Sequence, residues 1–362
     1  NRVGGVIQTE AKGDFLLESG PDSFITEKPW ALELVKILGL ENKLIQTNPL
    51  HRKAFIALKG RLHPIPEGFY LISPSRMWPF LTSPVFSWKG KFRMGLEFFI
   101  PAKKIDEDES IGAFVKRRFG REAVDRIAQP MVGGIYTADV RKLSLLATMP
   151  QFRQMEKEYG SLIRALRTRK QQHAKESSQS EALRGARYDL FVAPEKGMQV
   201  LVEALREKLS PGNIVLNAPV QSLQLDSAKN TWVIKYGYKK PVTVEADAVC
   251  LAVPAHQAAK ILEPTLPELS AELLAIPHKS TATANLVYER KDVPHPLNGF
   301  GFVVPPSENC SILACTFSSV KFAGRAPKGK IVLRAFLGGA LQPEIVKLSD
   351  KQMEWAIRED LR

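Results

Sequence analysis

Arg2-Val3-Gly4-Gly5-Val6, followed after a short alternating run by Glu18-Ser19-Gly20-Pro21-Asp22-Ser23, is the stretch on which the reading of this chain turns. Adjacent glycines let the backbone approach another group closely, because no Cβ stands in the way. Arg2 adds a planar, permanent cation suited to a phosphate or carboxylate. The Gly20-Pro21 turn, with Asp22, is expected to bring the chain back beside the first turn. Such a loop pair suits an extended, charged, aromatic ligand. A Gly-Gly turn between two strands accounts for the same residues without one. The usual first half of a dinucleotide site is a strand, a G-x-G-x-x-G turn, a helix and an acidic strand end. None of these follows Asn1, so that half, if it exists, is expected upstream.

Working outward, bulk properties bound the possibilities. The 362 residues are enough for two or three domains with real cores. No apolar run reaches the roughly 18 residues of a membrane span, so membrane contact is expected to be peripheral at most. Cys250, Cys310 and Cys315 have no metal-ligand spacing, and their odd number argues against a disulfide framework. A reducing, cytoplasmic setting is the expectation. The net charge of +13 suits an anionic membrane surface or an anionic substrate. Nucleic acid is disfavoured, because the basic residues are scattered and no zinc-finger spacing or aromatic RNP-like strand is present. The densest basic segment, Arg164 to Arg187, is interleaved with Gln, Ser and Ala and reads as a solvated insertion.

Local patterns then divide the chain. Pro29 opens a helix with Ala31, Leu34, Val35 and Leu38 on one face, and Gly39 ends it. Residues 53 to 66 predict a hairpin turning at Lys59-Gly60-Arg61, with prolines that favour a sheet edge. Arg52 stands at the start of its first strand, where a solvated surface arginine is the plain reading. From Ser73 to Lys104, aromatic residues (Trp78, Phe80, Phe86, Trp88, Phe92, Phe98, Phe99) alternate with Arg76, Lys89, Lys91, Arg93, Lys103 and Lys104. That mixture suits a membrane interface, and it suits equally a core helix-loop with a basic rim. Acids and Ser110 then cap a helix bearing Ile111, Phe114, Val115, Arg118 and Phe119. Pro130 is expected to break the next helix before Gly133-Gly134. From Pro194 the pattern is α/β, with short strands at 214–217, 220–225, 232–236 and 242–246. Asp247 to Pro254 predicts a buried parallel strand. The last third predicts an antiparallel sheet.

No H-E-x-x-H, P-loop or G-x-S-x-G motif occurs, and no histidine has a ligand partner four residues on. No metal site or catalytic side chain is expected. A cofactor that carries the chemistry fits this absence.

Taken together, six segments are similar to a known family. They are the opening R-V-G-G-V with E-S-G-P-D-S-F, G-R-L-H-P-I-P-E-G (60–68), Q-P-M-V-G-G-I-Y-T-A-D-V-R-K-L-S (129–144), G-S-L-I-R (160–164), H-P-L-N-G-F-G-F-V-V-P (295–305) and F-A-G-R-A-P (322–327). Their order and wording resemble the FAD-dependent, amine-oxidase-like flavoproteins, and most nearly the protoporphyrinogen and coproporphyrinogen oxidases. The resemblance covers nearly the whole chain, which reads as lacking both ends. It implies a mixed α+β and α/β architecture. A Rossmann-like FAD domain (1–48 and 194–260) is joined by a substrate domain on an antiparallel sheet (49–72 and 261–362) and a helical, membrane-associating domain (73–193). It implies FAD held by Arg2, Gly4, Gly5, Val6, Gly20, Pro21, Asp22, Ser23 and, through its backbone, Val220. It implies a porphyrinogen held by Arg52 at a propionate, with Gly134 and Val303 as walls and Phe322 stacked on a pyrrole ring. Val303 replaces the leucine usual in the family. The implied reaction is hydride transfer from a bridging carbon to flavin N5, with molecular oxygen reoxidising the flavin to give hydrogen peroxide. Three rounds would convert protoporphyrinogen IX to protoporphyrin IX; coproporphyrinogen III is the alternative substrate. An amine oxidase, a carotenoid desaturase and a non-catalytic membrane-surface protein also stay open, as does a homodimer.

Overall fold

The computed structural model describes residues 1–70, 72–74, 76–103, 107–168, 191–210 and 212–362. The basic segment expected between Arg164 and Arg187 lies, beyond residue 168, outside the described residues, as do Lys104 and the first acid before Ser110. The chain divides into two compact units, one of residues 1–5 with 202–279 and one of residues 6–201 with 280–362.

The larger unit is built on a six-stranded sheet. Its strands run in the order Thr281–Glu289, Lys330–Gly338, Ile312–Phe317, Gly301–Val303, Ala54–Leu58, Arg61–Pro64. All neighbours are antiparallel except Gly301–Val303 beside Ala54–Leu58, which are parallel with Gly301 opposite Ala54. The expected hairpin is present: it turns at Lys59-Gly60, both at positive φ, and its Pro64 strand forms the sheet edge. An edge tolerates proline, because a missing N–H there removes no ladder bond.

The two sheet faces bury different cores. Phe55, Phe302, Cys315, Phe317, Leu333, Ala335 and Leu337 pack in one cluster, against Ile357 of the C-terminal helix Asp350–Asp360. Ile56 and Leu58 pack on the other side, among Phe80, Phe86, Met94, Phe114, Phe119, Ile127 and Phe152 of the helical segment. Alternation along the strand from Phe55 to Leu58 thus serves two cores with one hairpin arm.

Within the helical segment, Ser110 caps the helix Ile111–Phe119 by accepting from the Ala113 N–H, and Gly120 at φ +92° ends it. The expected face is buried, Arg118 included. Pro130 does not break the following helix. Val124–Gly133 continues through it with π-type, wider turns. Shifted pairing lets the chain pass proline's missing N–H without ending the helix.

The aromatic and basic stretch is sorted by the fold. Phe80 and Phe86 are core, whereas Trp78, Trp88, Phe92 and Phe99 are 76%, 75%, 73% and 83% exposed. Not every cation there faces outward. The buried Lys91 donates to the Leu81 carbonyl at 2.7 Å and lies over the Trp88 ring. Arg93 donates to the Arg117 and Arg118 carbonyls at 2.7 and 3.0 Å, closing the C-terminal end of the Ile111–Phe119 helix. There the helix dipole favours a cation.

The smaller unit contains an antiparallel meander, Val220–Asp226, Thr231–Tyr236, Val242–Ala246, and the helices Ala255–Leu262 and Pro267–Leu274. Val202, Leu223, Ala258, Ala259, Leu262 and Ser270 are among its buried residues. Two sequence expectations fail here. Residues 214–217 form no strand, and neither do residues 247–254, where Cys250 is exposed. An apolar run becomes a buried parallel strand only with a strand alongside and layers over both faces. Among the described residues none pairs with 247–254.

Candidate functional site

The Glu18–Ser23 turn is seated on the six-stranded sheet by three side-chain donors from two neighbouring strands. Asn285, opposite Arg334 in the ladder, donates to the Glu18 carbonyl at 3.0 Å. Thr283, two residues earlier on the same face, donates to the Ser19 carbonyl at 3.3 Å, and Arg334 donates to the Gly20 carbonyl. Gly20 lies so close to Val6 that a Cβ would sit 1.8 Å from the Val6 carbonyl oxygen. The second turn is therefore folded back against the backbone at Val6, and only glycine permits that approach.

Beneath the turn is a charge cluster. Asp22 accepts from Lys321 Nζ at 3.1 and 3.0 Å on its two oxygens, and from Ser23 Oγ at 2.7 Å. Burial pushes its carboxyl upward, but Lys321, the Ser23 hydroxyl and Arg334 outweigh this and hold it at about 2. Glu18 is raised by burial, although the Met198 N–H and the Thr9 hydroxyl donate to its oxygens at 2.9 and 2.8 Å. Gly197, at φ +91°, leaves room for that contact, since a Cβ would lie 2.9 Å from Glu18 Oε1. Arg325, from the F-A-G-R segment, donates to the Glu195 and Pro194 carbonyls at 2.6 and 3.0 Å. Leu16, Glu18, Asp22, Phe322, Arg325 and Arg334 line a cavity of about 10 Å³ with Ser318. Arg334 is almost wholly buried, yet its Nε has no acceptor, nor has Ser318 Oγ a partner.

In the smaller unit, Gly4 and Gly5 stand at φ +99° and +56°, with open space in front of Gly5. The Arg2 guanidinium donates to the Val3 and Gly5 carbonyls at 3.1 and 2.5 Å, bracing this turn from within. Val220 begins its strand opposite Tyr236, next to a register shift that leaves the strand start irregular.

The expected substrate residues divide into three groups. Gly134 and Val303 meet: a Cβ on Gly134 would lie 4.0 Å from Val303 Cγ1. Gly134 also lines a cavity of about 330 Å³ with Gln129, Gly133, Thr137, Pro305, Cys310, Gln342 and their neighbours, a lining without a charged side chain. Arg52 stands half-buried at the end of the short Pro49–His51 helical turn, two residues before the Ala54–Leu58 strand. Phe322 is 1% exposed, with Lys321 Nζ and Arg325 Cζ 5.1 and 5.7 Å from its ring centroid. It belongs to the core of the charge cluster.

Lys321, Arg325, Arg334 and Gln129 are the site residues that sequence reasoning missed. Arg325 and Gln129 carried a signal, through their places in F-A-G-R-A-P and Q-P-M-V-G-G. Among the described residues no group of His, Cys, Asp and Glu could hold a metal ion.

Within the larger unit, the rigidly held Asp22 turn and a buried cation beside Gly20 with an unused donor fit part of a flavin site. The chain belongs to the flavin-containing amine oxidoreductase family, whose model matches residues 1–362. It is an FAD-dependent oxidoreductase. Over 361 residues it is 34% identical to coproporphyrinogen III oxidase of Bacillus subtilis strain 168, covering 100% of this chain and 74% of that protein. It is 27% identical to chloroplastic protoporphyrinogen oxidase 1 of Arabidopsis thaliana, covering 100% of this chain and 67% of that protein. A crystal structure from Exiguobacterium sp. 255-15, assigned as a protoporphyrinogen oxidase, superposes with a TM-score of 0.83 at 28% identity. It is covered over 74% of its chain by the whole of this one.

Proposed function

We propose that this flavoprotein oxidises a porphyrinogen to the porphyrin. The observation that carries the reading is the 34% identity to a coproporphyrinogen III oxidase along the whole of this chain. It puts coproporphyrinogen III slightly ahead as substrate. Protoporphyrinogen IX is the second reading, favoured by the uncharged lining of the cavity beside Gly134, which suits a neutral substituent better than a carboxylate.

In this reading FAD is held by Arg2, Gly4, Gly5, Val6, Gly20, Pro21, Asp22, Ser23 and Val220, and supplies a two-electron acceptor when bound. The chain's own residues bind and orient. Arg52 takes a propionate in charge-assisted hydrogen bonds. Gly134 and Val303 present a flat, apolar wall to the macrocycle. We assign Phe322 to holding Lys321 beside Asp22. No side chain acts as a base; molecular oxygen is the final acceptor. The three-domain division goes with this reading, as does contact between the exposed Trp78, Trp88, Phe92 and Phe99 and a membrane surface.

Oxygen consumption with each porphyrinogen tests the proposal. Turnover is expected with both, faster with coproporphyrinogen III at equal concentration. Arg52→Ala is expected to raise KM about tenfold with the flavin retained, the size of one lost charged hydrogen bond. A flavin-loaded protein that oxidises neither substrate would sink the reading.

A further inference from the structure

Gln129 lies one helical turn before Gly133, on the π-type helix, and is nearly buried. Both ends of its amide are used. Nε2 donates to the Ala138 carbonyl at 3.0 Å, and Oε1 accepts from the Val140 N–H at 3.1 Å. The side chain thus reaches past Gly133-Gly134 and ties down the far end of the turn they open. Gly133 makes room for it, since a Cβ there would lie 2.1 Å from Gln129 Nε2 and 2.8 Å from the Ala138 oxygen.

The middle of the turn is anchored separately. Thr137 adopts φ +49°, and its carbonyl accepts from the Ala340 N–H at 2.9 Å. A Cβ on Gly339 would approach that same carbonyl oxygen to 2.5 Å. The turn is therefore fixed at Thr137 to the chain just past the Lys330–Gly338 strand, and to its own helix through Gln129 and the Ala138 N–H, which donates to the Gly133 carbonyl at 3.1 Å. Gly134 sits between these anchors, and a Cβ on it would touch Val303 at 4.0 Å. Gln129, Gly133, Gly134, Thr137 and Ala138 all line the 330 Å³ cavity.

We infer that Gln129 is a positioning residue for substrate: its amide sets the place of the Gly134 wall relative to Val303 and so the shape of the cavity that Gly134 lines. The claim rests on the porphyrinogen reading for its substrate, but the geometry it asserts is independent of that reading. A buried amide with both ends bonded has little freedom, so losing either bond loosens the turn at one end, leaving the Ala138 and Val140 backbone bonds, while Thr137 holds the other. The wall then tilts.

The test uses two variants of the flavin-loaded protein. Gln129→Met keeps the length and loses both bonds. Gln129→Glu still accepts from the Val140 N–H at neutral pH but cannot donate to Ala138, which isolates the bond that faces the turn. In crystal structures of both, Gly134 is expected to move by about 1 Å relative to Val303. KM for the porphyrinogen is expected to rise about tenfold, with kcat and the flavin absorption spectrum retained. A lowered melting temperature with Gly134 and KM unmoved would show a merely structural amide and overturn the inference. If the unmodified protein oxidises no porphyrinogen, the functional reading fails by itself. The Gly134–Val303 separation in the variants then decides the positioning claim alone, and an unchanged separation refutes it.

Discussion

Asp22 shows how one residue's state depends on partners far away in sequence. Lys321 is 299 positions distant, yet it donates to both carboxylate oxygens. The carboxyl lies at about 2 in the folded chain against an ordinary 3.8. A carboxyl lowered by folding contributes stability above its unfolded value, and that stability is lost as pH falls through the folded one. The window is therefore pH 4 down to pH 2, and the amount is about 2 kcal/mol. Lys321→Met is expected to lower the melting temperature at pH 7 and to flatten its fall across that window. A pH series of melting curves checks this; superimposable profiles for parent and variant would rule out the Asp22–Lys321 pair as the cause. Gly20 makes the complementary point, because its role is visible only in the 1.8 Å that a Cβ would leave to Val6.

At the scale of elements, the Ile111–Phe119 helix is joined to its neighbours by ions as well as by packing. Arg118 is fully buried and donates to the Ile100 and Gly160 carbonyls at 2.6 and 2.5 Å. Its guanidinium lies 3.5 Å from Glu97 and 3.0 Å from Glu156, both fully buried. Glu97 in turn accepts from Ser161 Oγ and the Leu162 N–H, and Glu156 from Arg117 and Arg153. Three segments therefore meet on one buried network. Removing one member strands the opposite charges, at a cost of about 3 kcal/mol or more. Arg118→Met is expected to lose that much in urea unfolding, and Arg118→Met with Glu97→Gln to recover part of it. A double variant no more stable than the single one would contradict this account.

Much at this scale was legible beforehand. Pro29 and Gly39 bound a helix, Lys59-Gly60 turns a hairpin and Ser110 caps a helix, because each rests on the chemistry of one or two adjacent residues. The ion network was not, since Glu97, Arg118 and Glu156 are ordinary charged residues until the fold removes their water. Pro130 was misread for a related reason: proline forbids one N–H bond, and a wider turn avoids the need for it.

The largest scale is where the aromatic stretch acquires meaning. Sequence leaves membrane contact and an ordinary core equally open, and the fold buries some of these residues and exposes others. On the helix Trp88–Gly95, Trp88 and Phe92 lie one turn apart and both face outward, with Phe99 also exposed further along. Among the described residues no helix is long and apolar enough to cross a membrane. Contact in the plane of a surface is the mode such side chains support. The protein is expected to co-sediment with vesicles containing anionic lipid. Replacing Trp88, Phe92 and Phe99 together by serine is expected to release it by tenfold or more with oxidase activity retained. Equal sedimentation of parent and variant would count against a membrane role for this face.

The sequence by itself determined the family and those local elements that rest on one or two residues, such as the Pro29 helix, the Lys59-Gly60 hairpin and the Ser110 cap. Each is carried by a short run of residues whose backbone freedom or charge has few alternative uses. Only the tertiary structure decided which aromatics are core, which cations face inward, that Phe322 is covered by Lys321 and Arg325, and that Gly134 lies beside Val303. Those outcomes depend on direction and desolvation, which arise when segments hundreds of residues apart exclude water from the same place.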